Sequence, residues 1–551
     1  MPVKTTILST SPALVEQHEL FIPLECIGDT EATKASSKVL SATILTYGAT
    51  LTHLVCPDRW NQSQDVVLGF DHWQDYLAQA QPGALNPYFG SIIGRTASRI
   101  GNASFVLENK YSSDVAATDS RDDSASTERS AVSQTPRAVS ESISQSLPAS
   151  HIFARNDGTS STHTLKISNG VDCLHGGPFG FDKQHWTTVK VDQEQTAVTL
   201  QLISPHGQNG YPGRLVTNVK YSLTAHGELI VEYWAQLEAG HSEGEQISDP
   251  ATQDLHSTIV SLTNHAYWNL DGVLNPVDDQ GLEEKVLQAM EGINDKDHDE
   301  DVIYRGQCSI RNHTLWLRTA KLVELGASHP IPTGRILDLS NNSDQLSPSA
   351  ELLEQKDPLN FTSPRTDGTE LGKSLGPGLD EIPGGYGYDH VYALDDPTLP
   401  ARSVSEIGIQ AYWPSTHHVA TLASPRTGIR LDLSTSEPAL VVYAGGYLDS
   451  EKLLRTKSRL LDMSSTPFFI SPSATPLQNT QDCTWKNNQH RDLSVRIEAD
   501  MGKFSGVCLE PIRYPDAIHH SKWANMVTLH HGQVYRQTST YKFSVDTQTK
   551  S

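Results

Sequence analysis

Apolar and polar residues alternate along much of the chain. In the segment 198–204 every second residue from Val198 to Leu202 is apolar, and from Leu229 to Leu237 every second residue is apolar or aromatic. Side chains of a β-strand point alternately to its two faces, so this period of two predicts half-buried strands.

Turn residues between such segments predict hairpins. Residues 215–237 read as one hairpin that turns at 225–227, and residues 418–434 read as a second that turns at 424–428. The segment 541–545 adds one more short strand near the end of the chain.

Helical periodicity is rare in this sequence. The best candidates are residues 72–80 and 281–293. Because strands follow strands with turn residues between them, we predict an all-β fold, a large antiparallel β-sandwich with few short helices.

One segment departs from the β pattern. Residues 112–163 are rich in Ser, Thr, Asp and Ala, and Phe153 is their one aromatic residue. Such a segment buries too little apolar surface to offset the entropy lost on ordering, so we predict a disordered insertion. The β pattern continues on both sides, and we expect residues 1–551 to form a single domain that carries this insertion.

Charge narrows the possible partners. The chain of 551 residues has a formal net charge of −23 and a pI near 5.4. An acidic surface repels phosphate backbones and anionic lipids, so nucleic acid and membrane are unexpected partners. The first twenty-one residues lack an apolar segment of signal-peptide length, and no apolar run is long enough to span a bilayer. We therefore expect a cytoplasmic protein.

Four short segments carry candidate chemistry, at residues 94–105, 173–186, 261–272 and 505–518. Taken singly, each has a structural explanation. His175 precedes two glycines and reads as a turn residue, His265 reads as a core histidine between strands, and Glu510 reads as a carboxylate at a strand end.

Metal-ligand spacing is missing from the sequence. The six cysteines include no CxxC pair, and no HxH or HExxH segment occurs. His175 and His265 lie far apart along the chain. We expect free thiols and no metal site.

The combination and order of these segments resemble a known family. "SLTNHAYWNLDG" is similar to the T-N-H-x-Y-[FW]-N-L motif of the aldose 1-epimerase (galactose mutarotase) family. Further segments resemble that family in register from about residue 41 to 545, namely "GRTASRI", "LHGGPFGFDKQHW", "NGYPGRL", "YGYDHVY", "VVYAGGYLD" and "CLEPIRYPDAI".

The resemblance implies a fold, a reaction and site residues. It implies a galactose mutarotase-like β-sandwich, present as a monomer or weak dimer, that interconverts the α and β anomers of free aldohexoses such as galactose and glucose without a cofactor. His265 matches the general acid, Glu510 the general base and His175 a second active-site histidine. The implied sugar-binding residues are Arg95, Asp389, Tyr267 and Asn86.

The implied chemistry suits these residue types. A base takes the proton of the C1 hydroxyl while an acid protonates the ring oxygen O5, and a carboxylate and an imidazole form such a pair near neutral pH. This pair predicts a bell-shaped pH dependence, with Glu510 ionised and His265 protonated.

Two positions depart from the family pattern. Asn360 stands where the family usually has Asp, at a position expected to be structural. Val441 stands where some members have a sugar-contacting Gln, which removes one hydrogen bond to the substrate and is expected to shift hexose preference.

Two other functions stay open from the sequence. One is a hexose-6-phosphate epimerase on the same fold, which would need a cationic phosphate pocket. The other is a catalytically silent sugar-binding or regulatory protein, because a fold alone does not prove activity.

Overall fold

The computed structural model describes residues 1–24, 39–108, 160–238, 257–274, 302–326, 330–340, 359–362, 369–371, 387–394, 416–453, 457–461 and 495–546. The predicted helix 281–293 and residues 112–159 of the predicted insertion lie outside them. The chain divides into two compact units, one of Met1–Phe105 with His163–Ser551 and one of Val106–Thr162. The single-domain assignment stays a prediction.

Strands dominate the described residues. Those of the first half of the chain are β1 Val3–Ser9, β2 Val15–Pro23, β3 Val39–Leu45, β4 Thr50–Pro57, β5 Ser63–Asp65, β6 Ile92–Ile93, β7 Arg99–Ile100, β8 Ser104–Glu108, β9 Ser160–Thr164, β10 Cys173–Leu174, β11 Thr187–Asp192, β12 Ala197–Ser204, β13 Leu215–Thr224, β14 Glu228–Leu237, β15 Ser257–Ile259, β16 Thr263–Asn264 and β17 Tyr267–Trp268.

The second half contributes β18 Val302–Gln307, β19 Thr314–Leu317, β20 Lys321–Leu325, β21 Pro332–Asp338, β22 Thr369–Glu370, β23 Asp389–Ala393, β24 His417–Ala423, β25 Ile429–Thr435, β26 Ala439–Tyr443, β27 Ser458–Leu461, β28 Val495–Asp500, β29 Val507–Ile512, β30 Thr528–His530 and β31 Tyr535–Val545. The α-helix α1, Trp73–Gln79, confirms the helix predicted at 72–80. Among the described residues, no helix has both the length and the hydropathy of a membrane span.

The largest sheet has nine strands in the order β11-β12-β13-β14-β31-β25-β24-β19-β22 and is called the large sheet below. It contains both predicted hairpins. β13 and β14 pair antiparallel around the turn 225–227, and β24 and β25 pair around 424–428. The predicted strand 541–545 is the end of β31, which lies between β14 and β25.

A second sheet carries the site and is called the site sheet. Its six strands run in the order β17-β29-β26-β23-β20-β21. A third sheet joins β1 to β5 in sequence order, and the remaining strands form small two- and three-stranded sheets. Neighbouring strands pair antiparallel, except that β18 and β28 pair parallel. The predicted antiparallel β fold is therefore confirmed.

The hydrophobic core lies between the sheets. Trp268 of the site sheet packs on Tyr541 and Phe543 of the large sheet, with ring centroids 5.1 and 5.7 Å apart. Buried apolar residues from all three larger sheets join one cluster. Burial of apolar surface there stabilises the fold by roughly 25 cal/mol per Å².

Alternation along β29 separates core from site. Val507 and Leu509 belong to the core cluster. Cys508 and Glu510 occupy the alternate positions, so they point to the opposite face of the site sheet. One short strand thus contributes both to the packed core and to the chemical site.

Candidate active site

A cavity of about 440 Å³ opens on this face of the site sheet. This volume lies in the range of small-molecule binding sites. Six of the seven predicted site residues line it, namely Asn86, His175, His265, Tyr267, Asp389 and Glu510. Segments far apart in sequence therefore converge on one concave site.

Strand pairing places several of these side chains in one row. Tyr267 pairs with Cys508, Cys508 with Tyr443, and Tyr443 with Asp389 across four neighbouring strands of the site sheet. Residues directly opposite on paired strands share a face. The row therefore holds two tyrosines, a thiol and a carboxylate on the face that carries the cavity.

His265 and Glu510 meet at the floor of the cavity. Nε2 of His265 lies 3.7 Å from Oε1 of Glu510, and each side chain is only 5% exposed. His265 sits in the short connection between β16 and β17, where its backbone amide donates to the carbonyl of Ser91 and its carbonyl accepts from Gly90. Asn264 fixes this connection by donating to the carbonyl of Gly90.

Burial shifts both groups of this pair toward their uncharged forms. Removal from water lowers the pKa of His265 to about 4, against the smaller opposing effect of a hydrogen bond with its own backbone. Burial also raises the pKa of Glu510 well above its usual range, and the nearby carboxylate of Asp389 adds to this shift. Between these two pKa values the pair holds one proton.

His175 is held as a neutral hydrogen-bond donor. The backbone amide of Ser98 donates to its Nδ1 at 3.2 Å, which leaves the ring proton on Nε2. Burial lowers the pKa of His175 well below its usual value, and His265, Arg99 and Lys183 lower it further.

The backbone around this histidine is unusual. Tyr88, Ser98 and His175 all line the cavity, and all adopt the left-handed conformation, with φ of 58°, 62° and 52°. Residues other than glycine rarely adopt this backbone conformation. Those that do are concentrated at functional sites. Gly176 follows with φ +80°, and a Cβ there would lie 1.8 Å from the carbonyl oxygen of Gly94. The first glycine of the His-Gly-Gly segment is therefore sterically required.

Two hydrogen bonds orient the side chain of Asn86 in the cavity wall. Its Nδ2 donates to Oδ2 of Asp182 at 2.8 Å, and its Oδ1 accepts from the backbone amide of Tyr88 at 3.0 Å. An amide has two donors and two acceptor lone pairs, so one of each remains for a ligand.

Comparison with known proteins decides the family. The profile described as Aldose 1-epimerase matches residues 32–115, 156–296 and 304–542. The chain belongs to the aldose 1-epimerase family. It is thus a member of an isomerase class of enzymes, the epimerases that act on sugars.

Relatives of this epimerase match it over nearly its whole length. Galactose mutarotase of Bos taurus is 25% identical over 518 residues, which are 94% of this chain and 95% of that protein. A probable aldose 1-epimerase of Arthroderma benhamiae is 25% identical over 416 residues, covering 74% of this chain and 66% of that protein.

Solved structures agree on the fold. The aldose epimerase homologue of C. elegans has a TM-score of 0.52 at 21% identity, covering 92% of this chain and 96% of its own. Galactose 1-epimerase of Lactobacillus acidophilus has a TM-score of 0.53 at 15% identity, covering 98% of both chains.

The structure corrects the placement of Arg95 in this epimerase. Its side chain is 2% exposed and does not line the cavity. All five guanidinium donors find partners inside the protein, at Oγ and the carbonyl of Ser204, at the carbonyls of Pro205, Pro212 and Gly213, and at Oγ1 of Thr258. No donor is left for a sugar hydroxyl. Arg95 instead stabilises the packing of the segments that carry these acceptors.

Arg99 is the arginine that lines the cavity. Its Nε is buried and has no hydrogen-bond partner among the described residues. Sequence reasoning missed it, although it lies four positions after Arg95 in the same "GRTASRI" segment. The left-handed Ser98 between them redirects the chain, and the residue pattern does not reveal which arginine faces the cavity.

Tyr88 and Tyr443 were missed as well. The ring of Tyr88 lies 4.7 Å from that of His175 and 5.6 Å from that of His265. Tyr443 lies 5.8 Å from Tyr267, centroid to centroid. Aromatic residues usually pack in the core, so the sequence does not reveal that these two tyrosines line the cavity.

The two departures from the family pattern have different surroundings. Oδ1 of Asn360 accepts from the backbone amide and the hydroxyl of Thr362, a local turn contact, and Asn360 is not among the residues lining the cavity. Val441 does line the cavity. It is the departure that can affect a ligand.

One group of metal-type donors occurs in the described ranges. His265, Cys508 and Glu510 are all buried, and one donor atom of each lies within 4.8 Å of the others. Two of the three belong to the acid–base pair, so this group is part of the same site.

Proposed function

We propose that this protein is a mutarotase of free aldohexoses such as galactose and glucose, in which Glu510 is the general base and His265 the general acid. The observation that carries the proposal is the 3.7 Å contact between His265 Nε2 and Glu510 Oε1 inside a cavity of sugar-binding size. A base and an acid at this separation reach the C1 hydroxyl and the ring oxygen O5, which share one carbon.

The pair's single proton supports this chemistry. Transfer of that proton from the carboxyl of Glu510 to Nε2 of His265 produces a carboxylate base and an imidazolium acid together. Glu510 then takes the proton of the C1 hydroxyl, the C1–O5 bond breaks to leave the aldehyde, and His265 protonates O5. Rotation about C1–C2 and reversal of the same steps close the ring on the other face.

The cavity wall offers suitable contacts for sugar hydroxyls. Arg99 supplies a guanidinium, His175 a second donor and Asp389 a carboxylate acceptor. Tyr88, Tyr267 and Tyr443 add hydroxyls and ring faces that suit the apolar side of a pyranose. The finer assignment to hexoses rests on the galactose mutarotase name of relatives at about 25% identity.

The cavity gives little support to a sugar phosphate as substrate. Arg99 is its one Lys or Arg among the described lining residues. A phosphate dianion usually requires several such donors. Phosphorylated hexoses therefore serve as the comparison substrates.

Polarimetry tests the proposal. Freshly dissolved α-D-galactose and α-D-glucose are expected to reach their equilibrium rotation faster with the protein than in buffer, and hexose 6-phosphates are expected to gain little. Rates equal to buffer for every free aldose tested would overturn the proposed function and leave the silent sugar-binding alternative.

A further inference from the structure

Cys508 lies beside the acid–base pair without belonging to the proposed reaction. Its Sγ is 3.6 Å from Nδ1 of His265, while Glu510 approaches the other ring nitrogen. Cys508 and Glu510 are two positions apart on β29, so their side chains project from the same face. One donor atom each of the thiol, the imidazole and the carboxyl lies within 4.8 Å of the other two.

Glu510 supplies an independent indication that this group of donors can take a ligand. Its side chain is 5% exposed, and its contact with Nε2 of His265, at 3.7 Å, is longer than a hydrogen bond. Buried carboxyls are usually hydrogen-bonded or paired with a cation. The pair also borders the cavity, so an ion entering from solvent has an open coordination position on that side.

We propose that His265, Cys508 and Glu510 form an inhibitory site for a thiophilic divalent cation, with Zn²⁺ as the best fit. Thiolate, imidazole and carboxylate are the donors that zinc prefers, and three protein ligands with a water or substrate oxygen complete a tetrahedron. The usual zinc–donor distances are about 2.0–2.3 Å, so binding requires the three side chains to rotate toward the ion. The inhibition part of this inference rests on the proposed function, because the cation occupies the acid and the base.

Charge and proton balance favour a divalent cation. Binding converts the Cys508 thiol to a thiolate and the Glu510 carboxyl to a carboxylate, with His265 neutral. Two protons leave as two positive charges enter, so the buried site stays electrically neutral. Because protons are released, the cation binds more tightly as the pH rises.

Ligand softness separates this site from a carboxylate site. Mg²⁺ and Ca²⁺ prefer several oxygen ligands and retain water. A site with one thiolate, one imidazole and one carboxylate selects Zn²⁺ or Cd²⁺ over them.

The inhibition test is polarimetry in a series of ZnCl₂ concentrations, with buffer plus ZnCl₂ as the blank. Zn²⁺ is expected to abolish the enzymatic acceleration, EDTA to restore it, and MgCl₂ to have no effect. In Cys508→Ser the Zn²⁺ concentration for half inhibition, measured against that variant's own untreated rate, rises about 10-fold or more. Cys173→Ser is the matched control, since Cys173 is also buried but outside the donor group, and it retains wild-type sensitivity.

Cobalt absorption tests the site without any activity measurement. Co²⁺ added to the full chain is expected to give a near-ultraviolet thiolate-to-cobalt charge-transfer band that is absent in Cys508→Ser and retained in Cys173→Ser. A band in the wild type without mutarotase activity would uphold the site and overturn the proposed function. Zinc sensitivity unchanged in Cys508→Ser, or a wild-type protein with neither inhibition nor band, would overturn the site.

Discussion

Glu510 and Val441 are directly paired across β29 and β26, so the carboxyl of Glu510 has an apolar neighbour on its own face of the sheet. This pairing contributes to the removal of Glu510 from water, which raises its pKa. It also places the family departure at Val441 next to the proposed base.

Replacing this valine by glutamine is expected to change the pKa of the proposed base. In Val441→Gln the amide can donate to the carboxylate, which stabilises the charged form and lowers the pKa of Glu510. The alkaline limb of kcat/KM then shifts to lower pH. Val441→Leu, which keeps the wall apolar, serves as the control, and a limb that moves equally in both variants would argue against a direct effect of the amide.

The pH profile of the wild type distinguishes a His265–Glu510 pair whose pKa values are shifted by burial from a pair with unperturbed pKa values. With unperturbed groups, the two limbs of the profile would lie at about pH 4.3 and pH 6.5. A pKa of about 4 for His265 means that a second proton binds only below about pH 4, and the raised pKa of Glu510 moves loss of the last proton to higher pH. We expect kcat/KM to remain high above pH 6.5, measured as the polarimetric rate minus the buffer rate at each pH. A sharp decline centred at pH 6.5 would contradict this state of the pair.

Substitution of the two arginines of the "GRTASRI" segment is expected to have different effects, on activity for Arg99 and on stability for Arg95. Arg99→Gln removes a donor from the cavity wall and should lower kcat/KM by about 10- to 100-fold, the worth of one hydrogen bond from a charged group, with little change in Tm. Arg95→Gln leaves buried carbonyls without a donor and should reduce the free energy of unfolding by about 3 kcal/mol or more. Thermal unfolding and polarimetry of both variants check this, and a stable Arg95→Gln with a large loss of sugar binding would reverse the assignment.

Gly176 offers a backbone test of how His175 is positioned. Gly176→Ala puts a Cβ 1.8 Å from the carbonyl oxygen of Gly94, at a φ of +80°. The substitution should therefore reduce the free energy of unfolding by at least about 2 kcal/mol and also lower kcat. Gly170→Ala is a matched control, because φ is +61° there and the added Cβ meets nothing within 4 Å. Its cost is expected to be about 1 kcal/mol, from conformation alone. Equal melting temperatures for the two variants would show that the contact with Gly94 is not required.

The fold was predictable where the periodicity was strong. The hairpin of β13 and β14 alternates regularly, so both its strands and its turn were placed correctly from the residues. The association of His265 with Glu510 followed from the family resemblance and not from periodicity, since 245 positions separate them and only strand pairing in the site sheet brings them together.

Other features of the site depended on local geometry. Arg95 was taken from the family resemblance, and residue type and spacing carry no information on which arginine of the segment faces the cavity. Ser98, which lies between the two arginines, has a left-handed conformation, and it is not a glycine that would have indicated this turn. The neutral state of His265 was also unexpected, because it results from burial by residues distant in the sequence.

The central claim is that Glu510 acts as the base of mutarotation, and the polarimetric rate of Glu510→Gln with fresh α-D-galactose tests it most directly. The glutamine preserves shape and cannot accept the proton, so kcat is expected to fall by about 10²- to 10⁴-fold while sugar binding, measured by calorimetry, persists. A variant that folds, binds galactose and still mutarotates it at the wild-type rate would contradict the claim.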